Sequence, residues 1–216
     1  MQLCGSSRSH RPPAVARLKG RFGQAGLPVH DSRVLRIDED GAERLRAEAF
    51  VRAVFLRQHR ARVGTVAPHL LACESGGRLR AVVGWRGGAE GGFFLENYLD
   101  QPVEEVLSSA MGLRVPRGDI AEVANLAAAS QGAGAWLMRD LGKELAQRGF
   151  DWAVFTATLA VQNLLSRVGL GSWRLVDADA RRVGVAARDW GDYYANQPVV
   201  MACRVAQWVA LAEPYA

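Results

Sequence analysis

Residues 119–135 read DIAEVANLAAASQGAGA, and this stretch decides the predicted fold. Its first nine residues are mostly apolar and alternate well enough for a buried β-strand that carries two polar side chains, Glu122 and Asn125. The small residues from Ser130 to Ala135 then predict a glycine turn. Leucines at helical spacing follow as far as Gly149, so the stretch predicts a strand, a turn and a helix.

The sequence downstream completes a βαβ unit. Residues 152–158 are apolar and β-rich, so we expect a second strand that the helix connects to the first. Residues 161–168 predict a short helix closed by Gly169. Two further strands are predicted near residues 173–176 and 198–204.

The sequence upstream predicts a β-hairpin and two more helices. The hairpin consists of residues 68–74 and 79–85 around a Gly-rich turn. The helices are predicted at residues 42–62 and 103–111. The predicted fold is therefore α/β, with a mixed, mostly antiparallel central sheet and helices on both faces.

Composition indicates one globular domain. The chain has 216 residues, of which 49% are apolar and 23% are charged, enough for a hydrophobic core. Residues 1–30 are rich in Gly, Ser, Pro and Arg, and we predict that they form a disordered basic leader. We place the domain at residues 31–206 and a C-terminal tail at residues 207–216.

The excess positive charge lies near the amino terminus. Residues 1–36 hold seven Lys and Arg residues against Asp31 alone, whereas the rest of the chain is close to neutral. A domain that is close to neutral has no extended positive surface for a nucleic-acid phosphate backbone, so we expect no nucleic-acid partner. We interpret the leader as a disordered extension, or as residues that result from a start codon assigned too early. The alternative is that it contacts a membrane surface or a polyanion.

The sequence lacks the motifs that are typical of several enzyme classes. The histidines lie singly and the cysteines have no CxxC spacing, so we predict no metal site and no disulfide framework, and we expect a cytoplasmic location. The chain has no G-x-S-x-G elbow, no P-loop and no complete dinucleotide fingerprint. No apolar run approaches the ~20 residues of a membrane-spanning helix, and no signal-peptide core is visible.

The predicted turn at residues 132–135 is the best remaining place for a ligand. A glycine turn that leads into a helix exposes main-chain N–H groups, and the helix dipole adds partial positive charge. An anion such as a pyrophosphate therefore binds well there. Close packing of small residues at a strand-to-helix junction is the alternative explanation.

Residues 129–134, Ala-Ser-Gln-Gly-Ala-Gly, resemble the coenzyme A signature Q/R-x-x-G-x-G/A of the GNAT acyltransferase superfamily, except at the first position. Further motifs are FLENYLDQPVE at residues 94–104, EVANLA at 122–127, FTAT at 155–158, Asn163, Gly169-Leu170 and WGxYY at 190–194. Together, over roughly residues 35–205, they resemble the thermostable hemolysin family. That family is similar in fold to GNAT enzymes and to acyl-homoserine-lactone synthases, whose fourth strand reads E-x-S-R-F. Here Asn125 stands in place of the arginine.

The resemblance implies a thioester donor in a gap where the fourth and fifth strands splay apart. Asn125, Leu126 and Ala127 would line this gap. A main-chain N–H near Leu126 or Ala127 would polarise the thioester carbonyl and stabilise a tetrahedral oxyanion. Asn163, on the helix after the fifth strand, would touch the pantetheine. The diphosphate would contact Gln131, Gly132, Ala133, Gly134 and Ala135.

The acceptor amine must lose a proton, and the resemblance offers two carboxylates for this. Glu122 and Glu96 are the candidate general bases, because burial raises the pKa of a carboxyl. The alternatives are a buried carboxylate held by Arg or main-chain donors for Glu122, and a salt bridge at a helix edge for Glu96. Asn125 would hold a substrate carbonyl, or it would occupy a β-bulge and bond its own backbone. Tyr193 or Tyr194 would reprotonate the departing thiolate, unless aromatic packing explains both rings.

The combined prediction is a GNAT-type N-acyltransferase. It would move an acyl group from a coenzyme A or acyl-carrier-protein thioester to an amine of a small molecule in a biosynthetic reaction. Arg139, Arg181 and Arg182 are available for an acidic carrier protein, or are simply solvated. The alternatives are a non-catalytic domain that binds an acyl group or a partner, and a membrane-perturbing hemolysin-like protein. Acyl chain length, the acceptor and formation of a homodimer stay open.

Overall fold

The computed structural model of the protein describes residues 32–37, 40–129 and 131–212, and the predicted leader lies outside them. In these residues no helix is both long and apolar enough to cross a bilayer. The strands are β1 (Ser32–Ile37), β2 (His69–Ser75), β3 (Arg78–Gly87), β4 (Ile120–Ala128), β5 (Trp152–Ala157), β6 (Trp173–Asp177) and β7 (Val199–Arg204). The α-helices are α1 (Ala42–His59), α2 (Val103–Met111), α3 (Gln131–Gln147), α4 (Leu159–Val168), α5 (Ala180–Val183) and α6 (Val205–Ala212).

The strands form one sheet in the order β1-β2-β3-β4-β5-β7-β6. β4 and β5 are parallel, as a βαβ unit requires, and the helix α3 connects them. All the other neighbouring strands are antiparallel. The mixed, mostly antiparallel sheet of the predicted α/β fold is therefore confirmed.

The strands divide their side chains between two apolar layers, because successive residues point to opposite faces. On β3, Ala81 and Val83 face the layer that contains α3 and α6, whereas Val82 faces the layer that contains α1. Residues 93–115, which include α2, cover the α1 face of the sheet over β4, β5 and β7. Helices thus pack on both faces, as predicted.

The predicted hairpin is the pair β2 and β3. Its turn depends on glycine, since Gly76 and Gly77 have φ angles of 57° and 69°, which residues with a Cβ rarely adopt. The predicted helices at residues 42–62, 103–111 and 161–168 correspond to α1, α2 and α4.

The strand β1 was not predicted. It pairs with β2 along its whole length, but its two-residue period is hidden because it carries an arginine on each face. Arg33 pairs with Glu74 of β2, and Arg36 pairs with Glu144 of α3. Only the folded chain supplies these carboxylates, so the sequence of β1 alone does not show which side chains are covered.

The helix α6 extends into the residues predicted as a C-terminal tail. Residues 207–212 belong to α6, whose Trp208 is buried against α3. Gly142 of α3 makes room for the indole, because a Cβ at this position would lie 2.8 Å from the Cγ of Trp208. A helix this short gives little periodicity, and burial of the indole is what stabilises it.

The predicted glycine turn is also corrected, because residues 132–135 are the first turn of α3. Alanine favours helix, and glycine is least unfavourable at a helix end, where the N–H groups have no partner within the helix. The chain therefore passes from β4 into α3 with almost no loop.

Candidate functional site

The parallel strands β4 and β5 separate before either of them ends. They pair only from Ile120 to Val123, opposite Trp152 to Phe155. Beyond this point β4 continues to Ala128 and β5 to Ala157, and each stays paired with its other neighbour. The strands therefore leave a gap at their carboxyl ends, and this gap is the candidate site.

Asn125 forms a β-bulge at the start of the gap. Val82 and Gly84 of β3 lie two residues apart in sequence, whereas the residues that pair with them on β4 lie three residues apart. Asn125 takes up the extra residue with a φ of 54°, which asparagine tolerates better than most residues. Its Oδ1 accepts a hydrogen bond from the main-chain N–H of Ala67 at 2.9 Å. The bulge is therefore present, but the side chain of Asn125 bonds the main chain of Ala67, in the loop before β2, and not its own backbone as the alternative expected.

After the bulge, the next two side chains point to opposite faces of the sheet. Leu126 is half-buried against the α3 layer, whereas Ala127 is fully buried against the α1 layer. Their main chain borders the gap on the β4 side. The oxyanion role proposed for this main chain stays a prediction.

The gap leads directly to the amino end of α3, which starts at Gln131. The first N–H groups of a helix have no partner within it, so those of this turn are available to a ligand. A Cβ at Gly132 would meet no atom within 4 Å, so the space beside it is open. A Cβ at Gly134 would lie 3.3 Å from the Cβ of Ala128. The space beside Gly132 is therefore open, whereas Gly134 packs closely against the end of β4.

Glu122 anchors the segment 94–98 to the sheet. Its side chain is buried, and its two oxygens accept main-chain N–H bonds from Phe94 at 2.9 Å and from Leu95 at 2.8 Å. Burial raises the pKa of this carboxyl above its usual value, although the two hydrogen bonds oppose the rise. Glu122 is therefore held by main-chain donors and has the direction of pKa shift that a general base needs.

Glu96 is held in a tight ion pair. Arg117 contacts both carboxylate oxygens, at 2.7 Å and 2.9 Å, and the main-chain N–H groups of Phe93 and Val103 donate to the same carboxylate. Mainly through Arg117, the pKa of Glu96 is lowered to about 2. A carboxylate that binds a proton so weakly is a poor base, so the salt-bridge alternative describes Glu96.

Of the two tyrosines, Tyr193 is the one at the gap. Its hydroxyl donates to the main-chain oxygen of Thr156 on β5 at 3.4 Å, and burial raises its pKa, so the phenol stays protonated. The hydroxyl of Tyr194 pairs instead with that of Tyr98 at 2.8 Å. Both rings also pack against each other, with centroids 5.5 Å apart, so the packing alternative holds alongside any chemical role.

The structure thus brings Tyr193 to the gap beside β4, where Asn125 lies at its start, whereas Glu122 lies just before the gap, in the part of β4 that still pairs with β5. Asn163 lies on α4, directly after β5, but its side chain is exposed, and its contact with pantetheine stays a prediction.

His59 is a residue at this site that the sequence analysis missed. Its ring meets that of Tyr193 edge-on, with centroids 5.4 Å apart. Its Nδ1 is buried without a hydrogen-bond partner in the described part of the chain. Burial lowers its pKa, against the opposing charge of Asp192, so the imidazole is neutral near pH 7. A single histidine at a helix end gives no signal, because only folding brings Tyr193 against it.

The chain matches one protein family and several solved structures. The family described as thermostable hemolysin matches residues 37–209. Among solved structures, the coenzyme A-dependent acyl-homoserine lactone synthase BjaI, solved with SAM and isopentyl-CoA, has a TM-score of 0.59 at 10% identity, over 85% of this chain and 89% of its own. FeeM, an N-acyl amino acid synthase from uncultured soil microbes, has a TM-score of 0.56 at 16% identity, over 83% and 98%. The AHL synthase LasI has a TM-score of 0.54 at 16% identity, over 81% and 89%.

No curated protein matches the sequence. At these identities the structural likeness establishes the fold, and it confirms the predicted GNAT-like arrangement of sheet and helices.

Proposed function

The chain belongs to the thermostable hemolysin family, and we propose that it is an N-acyltransferase. In this proposal it moves an acyl group from the thioester of coenzyme A or an acyl carrier protein to an amine of a small molecule, in the cytoplasm. The observation that carries the proposal is the gap between β4 and β5, which opens at the bulge of Asn125 and leads to the amino end of α3.

The gap suits a thioester donor for a physical reason. A pantetheine arm is extended and carries amide groups, so it can pair with a strand edge that has lost its neighbour. The diphosphate of coenzyme A would then reach the N–H groups of residues 131–135, beside the open space at Gly132. A main-chain N–H near Leu126 or Ala127 would stabilise the oxyanion.

We assign the proton transfers to two residues, one just before the gap and one at it. Glu122 is the proposed base, because its pKa is raised, whereas the lowered pKa of Glu96 gives it a structural role. Tyr193 is the proposed acid that returns a proton to the thiolate, because its phenol stays protonated beside β5. The amide of Asn125 would orient a carbonyl of the bound substrates.

The acceptor is proposed to be an amine other than the substrate of acyl-homoserine-lactone synthases. The structural neighbours include acyl-homoserine lactone synthases and an N-acyl amino acid synthase. Asn125 stands where the lactone synthases carry the arginine of E-x-S-R-F, so an amino acid or a similar primary amine is the first acceptor class to test.

Two of the three arginines suggested for a carrier protein are already paired, which supports coenzyme A as the first donor to test. Arg181 pairs with Asp179, and Arg182 pairs with Asp100, so neither is a free positive charge. A docking surface for an acidic carrier needs unpaired positive groups.

The proposal is tested by following thiol release from acyl-coenzyme A donors of increasing chain length and from acyl carrier protein. Each donor is mixed with a panel of amino acids and other primary amines. Release that depends on the acceptor, and that falls in Tyr193→Phe, supports the transferase. Stabilisation by long-chain acyl ligands without turnover identifies a binding domain instead. Leakage of liposomes without thiol release identifies a membrane-perturbing protein.

A further inference from the structure

A cavity lies away from the gap, between β1, β2 and β3 and the carboxyl half of α3. Its volume is about 370 Å³. Its polar lining comes from Arg36, His69, Glu144 and Arg148, and the indole of Trp85 forms part of its wall. Glu144 lies about three helical turns from Gly132, so this cavity is separate from the proposed donor site.

Two arginines of the cavity are held by one buried carboxylate. The Nε of Arg36 donates to one oxygen of Glu144 at 2.6 Å, and the Nε of Arg148 donates to the other at 2.8 Å. Glu144 itself is only 5% exposed. Burial opposes its ionisation, but the hydrogen bonds from Arg148 and Arg36 outweigh this, so its pKa lies below the usual value. Glu144 is therefore a charged anchor that holds both guanidinium groups in place.

The guanidinium groups keep donors for a ligand. In both arginines the Nε donates to Glu144. Among the described residues, only one terminal nitrogen makes a further hydrogen bond, from Arg36 to Gln147 at 3.3 Å. The side chains are 66% and 45% exposed, so the outer nitrogens are accessible from the cavity. Two positive charges against one negative charge leave the arginines and their anchor with a net charge of +1.

The aromatic wall orients one of these arginines. The guanidinium of Arg148 lies over the ring of Trp85, with its Cζ 4.6 Å from the ring centroid. The ring of His69 stacks on the same indole, with centroids 4.1 Å apart. A guanidinium that rests on an aromatic face and is tethered through Nε loses little conformational freedom when it binds an oxyanion.

We propose that this cavity binds a small molecule through an oxyanion, phosphate or carboxylate, which the outer nitrogens of Arg36 and Arg148 hold. Guanidinium groups match the paired oxygens of such anions, and two of them can clamp one group from two sides. The volume fits a small metabolite rather than a macromolecule. This site is independent of the proposed acyl transfer.

The proposal is tested with inorganic phosphate and with succinate as probes, by calorimetry and by the rise in Tm at constant ionic strength. We expect binding to the wild type to weaken at least tenfold in Arg36→Gln and in Arg148→Gln. Arg148→Lys retains the positive charge but lacks the paired N–H donors of a guanidinium. It should weaken binding by a similar factor without leaving Glu144 unpaired. Arg62→Gln, which removes one exposed positive charge elsewhere, should leave binding unchanged. A stronger response to phosphate or to succinate distinguishes the two sources of the anion.

Three results would overturn the proposal. The first is that neither anion binds the wild type or raises its Tm. The second is that binding is equal in all the variants, which would indicate a nonspecific effect of the salt. The third is that coenzyme A displaces the anion while Arg148→Lys does not weaken it, which would place the anion at the amino end of α3.

Discussion

Arg117 donates hydrogen bonds from both of its terminal nitrogens to the two carboxylate oxygens of Glu96. The pair ties the segment before β4 to the 3-10 helix at residues 94–98. Glu122 holds the same helix from the sheet through two main-chain N–H groups. The acidic residues of two family motifs thus build one wall beside the candidate site.

The ion pair predicts an acid-dependent loss of stability. The pKa of Glu96 is about 2 in the folded chain, against 4.5 for the free side chain. A lowered pKa stabilises the fold above the unfolded value, so the free energy of unfolding should fall as the pH drops from about 4.5 toward 2. We expect Glu96 to account for about 2 kcal/mol of this fall. Urea unfolding across this pH range should show the loss in the wild type and a smaller one in Glu96→Gln.

The control for this measurement is Glu105→Gln, which changes an exposed carboxylate on α2. It should keep the pH dependence of the wild type. An unchanged pH dependence in Glu96→Gln would show that the ion pair adds nothing to stability.

Glu122→Gln tests the proposed base. The variant keeps the size of the side chain but places an NH2 group against one of two main-chain N–H donors, so we expect some destabilisation, about 1–3 kcal/mol. If Glu122 takes the proton of the acceptor, kcat for acyl transfer should also fall at least ~100-fold in protein that is still folded. If kcat is normal and only Tm is lowered, Glu122 anchors the segment 94–98 and is not the base.

Gly132→Asp separates coenzyme A binding from stability. The space beside Gly132 is open, and an acidic side chain in the first turn of a helix is favourable, so Tm should stay the same or rise. The same charge repels a diphosphate, and we expect the Kd for coenzyme A to rise at least tenfold. Gly132→Ala is the control, because it also adds a Cβ and raises helix propensity, by more than Asp does, but it carries no charge. Equal calorimetric affinities for the two variants would remove the diphosphate from this turn.

Asn125 predicts an ordering of two variants. Asn125→Ala and Asn125→Gly both lose the hydrogen bond to Ala67, but only alanine, which has a Cβ, is strained at the left-handed φ of 54°. We therefore expect Asn125→Ala to be less stable than Asn125→Gly by about 1 kcal/mol in chemical denaturation. The reverse order would mean that the bulge rearranges in these variants.

Trp208→Ala tests whether α6 is part of the domain. The indole is buried against Gly142 of α3, so its removal should cost about 3–5 kcal/mol of unfolding free energy. Gln207→Ala, which changes the exposed neighbour, should cost far less. Thermal unfolding of the two variants gives the comparison, and a small effect of Trp208→Ala would make α6 an independent tail.

Most of the fold could be predicted from the sequence, because most elements carry their signal locally. The hairpin turn has Gly76 and Gly77, and the strand β4 is a nearly continuous apolar run. The elements that the prediction missed depend on distant partners. The arginines of β1 need Glu74 and Glu144, and α6 needs the space beside Gly142.

The candidate site was predictable in its membership but not in its contacts. Glu122 and Asn125 stand out as polar residues in an apolar strand, and the sequence alone placed them together. Whether a carboxylate has a raised or a lowered pKa depends on what surrounds it. Glu122 is buried and receives only main-chain donors, whereas Glu96 meets Arg117 from 21 residues away.

The sequence by itself determined the order of β2 to β7 and of α1 to α4, the βαβ unit and the family, because these depend on patterns and motifs that lie along the chain. Only the tertiary structure decided where β4 and β5 part, that His59 meets Tyr193, and that one carboxylate holds two arginines, of which Arg148 lies over Trp85. These features join residues that are far apart in sequence. Burial and charge act through space, so their effects exist only once the chain has folded.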